Sequence, residues 1–182
     1  NIGNTIYGDT STGNVGIGVV PESWFGNQTA LQIGGTGAAL SADIGAAYYS
    51  NNAYRDSSGN WKRVGSGYAT RNMLYNGAHY FDVAGTSTAD SAISWTTAMT
   101  IDNAGRVMLG TTTSTNPNAK LVIKSFSNND AAEVRVSTNG VYGFAFFNAA
   151  DSVVGSIQIN STGTAFNTSS DYRLKENVVP MT

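Results

Sequence analysis

The 182-residue sequence has no cysteine, three prolines and one histidine. Without cysteine it forms no disulfides and offers no thiolate ligands to a metal. Charged residues make up only 12% of the chain, about half the usual share of a globular protein. No Lys/Arg cluster is long enough to follow a phosphate backbone, so we expect no nucleic-acid partner. No apolar run approaches the roughly 20 residues that cross a bilayer, so we expect no membrane insertion.

Four small or polar residue types dominate what remains. Gly, Ser, Thr and Asn supply 79 of the 182 residues. Gly is entropically costly in a helix, and Ser, Thr and Asn compete for its backbone hydrogen bonds. The composition therefore predicts an all-β fold of short strands and tight turns. Because so few residues are charged, we also expect much of the surface to be buried against other copies of the chain.

The chain repeats itself at a period of about 90 residues. Residues 13–18, "GNVGIG", match 105–110, "GRVMLG". Each copy is followed by a polar loop containing proline and then by a short apolar strand, "TALQIGG" or "AKLVIKS". Each is preceded by a strand and a polar turn, so the pattern predicts a hairpin at both places. The turns are predicted at residues 11–13 and 103–105.

Two more hairpins and one helix-like window follow from the same signals. Residues 51–68 predict a hairpin around Ser57-Ser58-Gly59-Asn60, with Tyr54 and Trp61 meeting across it. Residues 155–167 predict another, and residues 132–138, "AEVRVST", alternate like a strand. Residues 37–49, "GAALSADIGAAYY", are the helix-like window outside the charged C-terminal stretch.

The repeated segments resemble modules of bacteriophage tail fibres and tailspikes. The resemblance rests on "GNVGIG", "AISWTTAMTIDNAGRVMLGTT" and "NAYRDSSGNWKR…GAHYFDVAGTS", and it covers roughly residues 1–125. It implies short hairpins and interleaved strands in an elongated threefold homotrimer, similar to a β-prism or triple β-helix. On this basis we expect first-repeat strands in 1–34, a central module with the second repeat in 35–125 and a distal β region in 126–169.

The charged closing stretch, "NTSSDYRLKENVVPM", resembles a different element of such fibres. It is similar to the junction with an endosialidase-type intramolecular chaperone, a domain that cuts itself from the fibre. The resemblance implies cleavage between Ser169 and Ser170, with Ser170 as nucleophile and Lys175 as its partner. Asp171 and Arg173 match the signature without a role that follows from chemistry. Residues 170–182 would be the start of that chaperone segment.

The spacing of the two catalytic candidates argues against activity in this polypeptide. Ser170 and Lys175 would lie about 16 Å apart on a strand. On a helix they would be separated by about 7.5 Å along the axis, with their faces rotated apart. Neither regular conformation lets the amine activate the hydroxyl. We therefore expect no enzyme activity from this fragment.

Several other polar and aromatic residues are candidates for a binding or catalytic site. Six exposed-type aromatics are candidates for binding a host-surface glycan or an outer-membrane receptor, with an intersubunit core as the simpler interpretation: Tyr48, Tyr49, Tyr54, Trp61, Tyr68 and Tyr75. His79 could bind an ion only if a trimer brought three copies together, so we expect no metal and no cofactor. Scattered carboxylates would need to lie about 5–10 Å apart in a cleft to hydrolyse a glycan. These are Asp43, Asp56, Asp82, Asp90 and Asp102.

These observations predict a virion protein: a homotrimeric segment of a phage tail fibre that attaches to the host surface and contacts other tail proteins. Two alternatives stay open. The segment could be a depolymerase that cuts surface polysaccharide, or a purely structural stem whose receptor tip lies elsewhere.

Overall fold

The computed structural model describes residues 5–35, 38–125, 132, 141–159 and 161–168, and these are nearly all β, as the composition predicts. The chain divides into two compact units, Asn1–Ala131 and Ala132–Thr182. In the first unit, the described residues form twelve strands. They are β1 (Ile6–Asp9), β2 (Asn14–Ile17), β3 (Thr29–Ile33), β4 (Ala38–Asp43), β5 (Ala46–Asn51), β6 (Tyr54–Arg55), β7 (Trp61–Lys62), β8 (Gly67–Tyr75), β9 (Ala78–Ser87), β10 (Thr96–Ile101), β11 (Val107–Leu109) and β12 (Leu121–Ile123).

Ten of these strands form one continuous sheet. Their order is β1-β2-β3-β4-β5-β8-β9-β10-β11-β12, and β6 and β7 form a separate hairpin. The sheet runs through the boundary expected between residues 34 and 35, because β3 pairs with β4 over its whole length. Every pairing in the sheet is antiparallel except two, β2 with β3 and β11 with β12.

The sequence repeat is a repeat of structure. β1-β2-β3 and β10-β11-β12 are each an antiparallel hairpin followed by a parallel strand. Val15 pairs with Leu31 just as Val107 pairs with Leu121. The hairpin glycines also match. Gly13 and Gly105 close the turns, Gly18 and Gly110 end the second strands, and all four have φ between 68° and 76°. Both predicted hairpins are thus confirmed, with a parallel strand added to each.

Three hairpin turns share one hydrogen-bonding pattern. An Asp or Asn side-chain oxygen accepts from the backbone N–H groups two and four residues further on, which is the Asx-turn geometry. The residue three positions after the Asx has a positive φ in each case. The capping residues are Asp56, Asp102 and Asn148, and the positive-φ residues are Gly59, Gly105 and Asp151.

The helix-like reading of residues 37–49 is wrong. Ala38–Asp43 and Ala46–Asn51 are antiparallel strands joined by Ile44 and Gly45. The small side chains of this segment alternate between the two faces of the sheet, and Gly45 takes a φ of 101° at the turn. A run rich in alanine has no strong preference of its own, so the pairing with β3 and β8 decides its conformation.

The two faces of the sheet differ sharply. One, the covered face, carries small and polar side chains beneath residues 18–28, the β6–β7 hairpin and residues 88–95. Its buried residues include Ala30, Ala39 and Ser50 together with the ring of Tyr48. The other, the open face, carries the larger aliphatic side chains and has no element packed on it within the described residues of the first unit.

In the second unit, the described residues form three antiparallel strands, β13 (Val141–Phe147), β14 (Val153–Ile159) and β15 (Thr164–Thr168). β14 and β15 pair through Ile157 and Phe166, which confirms the hairpin predicted at residues 155–167. The strand predicted at 132–138 lies outside the described residues, apart from Ala132.

Candidate functional site

The six aromatic candidates separate into two groups. Tyr48, Tyr54 and Trp61 lie on or against the covered face, where Trp61 stacks edge-on with Tyr48 at 5.2 Å and Tyr54 meets Trp24 at 6.3 Å between ring centroids. The hairpin predicted to hold Tyr54 and Trp61 is present, but Tyr54 pairs with Lys62 and Arg55 with Trp61. The two rings are therefore not directly opposite each other, and they have different ring partners, although both pack against the buried cluster of Trp24, Ala30 and Ala39.

The remaining three aromatics are exposed. Tyr49 belongs to the open face, Tyr68 lies at the start of β8 and Tyr75 lies at the β8–β9 turn. They sit on different parts of the sheet, and the structure does not bring them together into one surface. As residues that could touch a ligand of the single chain, these three stay predictions.

Beneath the covered face, a buried ion pair is clamped between aromatic rings. Arg71 donates from Nε to Oδ2 of Asp82 at 2.7 Å, directly across the β8–β9 pairing. Its guanidinium lies 4.9 Å from the Trp61 ring centroid and 4.7 Å from that of Trp95. Thr97 donates to the other oxygen of Asp82 at 2.6 Å. Each charge is thus fully engaged, which is what a buried pair needs to offset its loss of water.

A second buried arginine fastens the covering segments without any carboxylate. Arg63 is only 4% exposed. Its guanidinium donates to the backbone carbonyls of Gly67, Gly85 and Ala92 and to the Ser91 hydroxyl. This planar group, which has five donors, thereby links the start of β8, strand β9 and the loop between β9 and β10.

The five aspartates considered for glycan hydrolysis all have hydrogen-bonding partners within the chain. Asp43 pairs with Arg55 at 2.7 Å, and Asp82 with Arg71 as described above. Asp90 accepts from the Tyr54 hydroxyl at 3.0 Å. Asp56 and Asp102 cap their own turns, and Asp102 also binds Arg106. Each of these contacts accounts for its carboxylate as part of the fold.

Two side chains near Asp90, Tyr54 and Glu22, have raised pKa values. Burial raises the pKa of Tyr54 to about 12, and its hydrogen bond to Asp90 adds to this effect. Burial also raises the pKa of Glu22, with a further contribution from the negative charge of Asp90. The hydroxyl of Tyr54 therefore stays neutral, and a negative charge on Glu22 is disfavoured beside Asp90.

The open face is the strongest candidate for an interaction surface. Among the described residues, no Leu, Ile, Val or Phe is buried, and the large buried apolar side chains are Trp24, Tyr48 and Met108. The aliphatic side chains that normally fill a core are instead gathered on one side of the sheet. That side carries Val15, Ile17, Leu31, Ile33, Leu40, Tyr49, Asn72, Leu74, Phe81, Val83, Met99, Ile101, Val107, Leu109, Leu121 and Ile123.

Cross-strand register aligns one residue of each strand into a central row along this face. The row crosses all ten strands and reads Gly8, Val15, Leu31, Leu40, Tyr49, Asn72, Phe81, Met99, Leu109 and Ile123. Beside it lies a groove of about 580 Å³, where Ala42 and Ala47 leave room between the larger side chains of Leu40, Tyr49 and Leu74. The groove is lined almost entirely by carbon.

The remaining predicted site residues are placed as follows. His79 is exposed on the open face near the β8–β9 turn. No group of three or more His, Cys, Asp or Glu side chains in the described ranges is arranged to hold a metal. Ser169, Ser170, Asp171, Arg173 and Lys175 lie outside the described residues. No helix in the described part of the chain is long and apolar enough to cross a membrane.

Sequence reasoning missed Arg71, Arg63 and Asn72. For Arg71 a local signal existed, because Arg71 and Asp82 lie on two neighbouring strands that a tight Asn76-Gly77 turn joins. Counting back from that turn pairs them, because hairpin register is fixed by the turn. Nothing local marks Arg63 or Asn72, whose surroundings come from distant segments.

Comparison of the chain with protein-family models, with curated proteins and with solved structures found no match.

Proposed function

We propose that this chain is a structural and attachment segment of a homotrimeric bacteriophage tail fibre or tailspike, in which the open faces of three copies pack together. The open face is the observation that carries the proposal. Among the described residues, no Leu, Ile, Val or Phe is fully buried, whereas Gln32, Ser41 and Ser50 are, so the apolar pattern is turned outward. Extended apolar patches of this kind mark surfaces that bury themselves in an assembly.

The size of the face supports a stable interface. Ten strands at about 4.8 Å spacing and about five residues at 3.4 Å give a rectangle of roughly 43 by 17 Å, or about 730 Å². Specific interfaces bury about 800 Å² per partner.

Other copies of the same chain are the partner that best fits this face. The low charge of the whole sequence agrees with a molecule that buries much of its surface in a permanent assembly. A rotationally symmetric arrangement lets every copy bury the same face at once. The threefold order and the phage assignment come from the resemblance of the "GNVGIG" and "GRVMLG" modules to tail-fibre repeats.

Attachment would use the surface left outside such an assembly. Tyr49 and, by the alternation of β8, Tyr68 lie on the open face and would be buried with it, whereas Tyr75 alternates to the other side of the sheet and is exposed at the β8–β9 turn. Exposed aromatics suit a glycan or a receptor loop. Three symmetry-related sites would raise the apparent affinity for a repetitive host surface through avidity.

The mass of the protein in solution tests the proposal. With a chain of 19.0 kDa, we expect light scattering at micromolar concentration to give about three times that mass. Leu40→Lys places a charge in the central row and should reduce the mass to that of the single chain. Ile44→Lys is the matched control, since Ile44 is 94% exposed and lies in the β4–β5 turn, outside the paired strands. A wild-type protein that is monomeric under these conditions contradicts the proposal.

A further inference from the structure

The two outermost strands of the ten-stranded sheet each have one unpaired edge. Within the described residues, β1 pairs only with β2, and β12 pairs only with β11. A groove follows each strand, with a volume of about 320 Å³ beside β1 and about 550 Å³ beside β12. Consecutive residues of the strands line these grooves, residues 7–9 on β1 and 121–123 on β12. Successive side chains point to opposite faces, so a consecutive lining places both grooves along the edges of the sheet.

The internal repeat indicates what these edges accept. The counterpart of β1 in the repeat is β10, and the edge of β10 that faces away from β11 pairs antiparallel with β9. The counterpart of β12 is β3, and the edge of β3 that faces away from β2 pairs antiparallel with β4. Both unpaired edges therefore correspond to positions at which this fold takes up an antiparallel strand.

The directions of β1 and β12 suit each other. Seven of the nine pairings in the sheet are antiparallel, and an odd number of reversals leaves β12 antiparallel to β1. A second copy that lies beside the first in the same orientation therefore presents its β1 antiparallel to β12. The open faces of the two copies then lie on the same side of one continuous sheet.

The backbone groups of β12 alternate between its two edges. The Lys120 carbonyl accepts a hydrogen bond from β11 at 2.8 Å, and the Lys124 N–H donates to β11 at 3.0 Å. Alternate residues of a strand direct their N–H and C=O groups to the same side. Leu121 and Ile123 therefore direct theirs to the unpaired edge.

The backbone groups of β1 have the matching alternation. The Thr5 carbonyl accepts from the N–H of the residue that ends β2, at 2.7 Å. By the same alternation, Ile6 and Gly8 direct their N–H and C=O groups away from β2. One antiparallel alignment sets Leu121 opposite Gly8 and Ile123 opposite Ile6. In it, the outward groups of both strands meet and form about four hydrogen bonds.

We infer that β12 of one copy pairs with β1 of another copy in this alignment, so that the sheet continues from copy to copy. The alignment also sets Lys120 directly opposite Asp9, and opposite charges at such positions stabilise a strand pair. The pairing uses only the edges and leaves the open face free. It therefore goes beyond the proposed function and does not depend on it.

A single pairing of this kind is weak, because strands of three and four residues bury much less than the area of a stable interface. We expect it only at protein concentrations well above those at which the open faces assemble. Where several copies present their edges side by side, the pairings form together and reinforce one another.

Disulfide trapping tests the inference, because the chain has no cysteine of its own. Tyr7→Cys and Val122→Cys in one chain place a thiol at each edge. In the inferred alignment their Cα atoms are about 4.5 Å apart, within the roughly 4.4–6.8 Å that a disulfide requires. Within one chain they are nine strand spacings apart, or about 43 Å. After oxidation at high protein concentration, we expect a ladder of covalent dimers, trimers and longer chains on a denaturing gel.

Two controls separate this ladder from random collision. Tyr7→Cys with Lys124→Cys moves one thiol two residues along the strand, by roughly 6.8 Å, and should give little crosslinking. Either cysteine alone should give nothing longer than a dimer. If the Tyr7→Cys/Val122→Cys chain gives no ladder, or if both double variants give equal ladders, the inference is wrong.

The mass of the unmodified chain is a second test, which does not depend on the cysteines. Its light-scattering mass should rise about twofold or more between micromolar and high protein concentration. Gly8→Pro removes an outward N–H, which an edge strand tolerates, and should keep the mass constant. Gly8→Ala keeps the N–H, and its Cβ would meet nothing within 4 Å, so it should behave as the wild type. A wild-type mass that stays constant overturns this inference alone. A ladder from a chain that is monomeric at micromolar concentration contradicts the proposed function alone.

Discussion

At the scale of single residues, Arg71 and Asp82 form a buried ion pair that depends on all of its partners. Both charges are removed from water, with side-chain exposures of 12% and 1%. Their attraction, the two tryptophan faces around Arg71 and the Thr97 hydroxyl offset the loss of hydration. A contact of this kind contributes little in net terms when complete, but it is costly to break, because removing one partner leaves the other charge buried and unpaired.

Removal of the Asp82 carboxylate should therefore be severe. We expect Asp82→Ala to lower the free energy of unfolding by about 3–5 kcal/mol. The measurement is the urea midpoint at one fixed protein concentration, which keeps any effect of assembly constant. Lys62→Ala is the control, since Lys62 and Asp56 lie 3.9 Å apart in a more exposed pair and should contribute less than about 1 kcal/mol. Equal midpoints for the two variants would contradict this account of the clamp.

At the scale of elements, the repeated β-β-β unit depends on glycines with left-handed backbone. Gly18 ends β2 with a φ of +69°, and its N–H donates to the Thr5 carbonyl at 2.7 Å. Gly110 repeats this at the end of β11, donating to Ala98 at 3.0 Å. At these turns the chain leaves the hairpin, and it then comes back to form the parallel strand.

A side chain at Gly18 should destabilise the unit through the backbone alone. A Cβ added there would meet nothing within 4 Å, so the cost is that of the left-handed conformation, about 1–2 kcal/mol for Gly18→Ala. Gly85→Ala isolates that effect, because its Cβ would also meet open space and its φ is not positive. Thermal melting of the two variants should show a loss for the first and little change for the second. Gly18→Asn should recover part of the loss, since Asn tolerates this conformation.

These elements also explain what the sequence could predict. The hairpins at residues 11–13, 103–105 and 57–60 follow from local turn chemistry, in which an Asp and a Gly fix the geometry within five residues. The parallel pairings of β2 with β3 and of β11 with β12 were not predicted, because a parallel connection has no comparable local signal. The helix-like interpretation of residues 37–49 was wrong for a similar reason, because the neighbouring strands decide the conformation of this segment.

Prediction of the candidate site had a similar limit. Tyr48 and Tyr49 are adjacent in sequence and identical in type, yet one is buried and the other faces outward. Only the register with β4 and β8 separates them, and a slip of one residue would exchange their roles. Composition could indicate a chain with few charged residues, but it could not say that most of the exposed large apolar side chains described in the first unit lie on one side of its sheet.

At the scale of the whole molecule, carboxylates that cap turns tie stability to pH. Hydrogen bonds from the Ser11 and Thr12 hydroxyls and the Ser11 backbone lower the pKa of Asp9 to about 2. The backbone N–H of Asn60 lowers the pKa of Asp56, and Arg106 lowers that of Asp102. A carboxyl whose pKa is lower when folded binds more protons when unfolded, so its contribution to stability is present above its ordinary pKa of 3.8 and disappears as pH falls through the folded value.

The protein should therefore lose stability in acid. We expect its melting temperature to fall as pH is lowered from about 4 to about 2, and to be nearly constant between about 5 and 7. Burial raises the pKa of Glu22 above its ordinary value of 4.5, so its small effect has the opposite sign and lies at higher pH, and it leaves the fall below about pH 4 unchanged. Asp9→Asn should melt lower than the wild type at pH 7 and show a shallower fall in acid. A wild-type melting temperature that does not change between pH 5 and pH 2.5 would contradict the role given to these turns.

The repeat of β1-β2-β3 as β10-β11-β12 also sets a rule for length. Seven inter-strand steps lead from β1 to β10, where the two copies of the repeat begin, and at about 4.8 Å each they advance the sheet by roughly 34 Å for about 90 residues. A chain built this way grows sideways to its strands, in steps of one period. Gain or loss of a whole period would keep every pairing intact, whereas a partial one would join strands whose directions and apolar faces no longer agree. The width of such a sheet can therefore change only in steps of whole repeats.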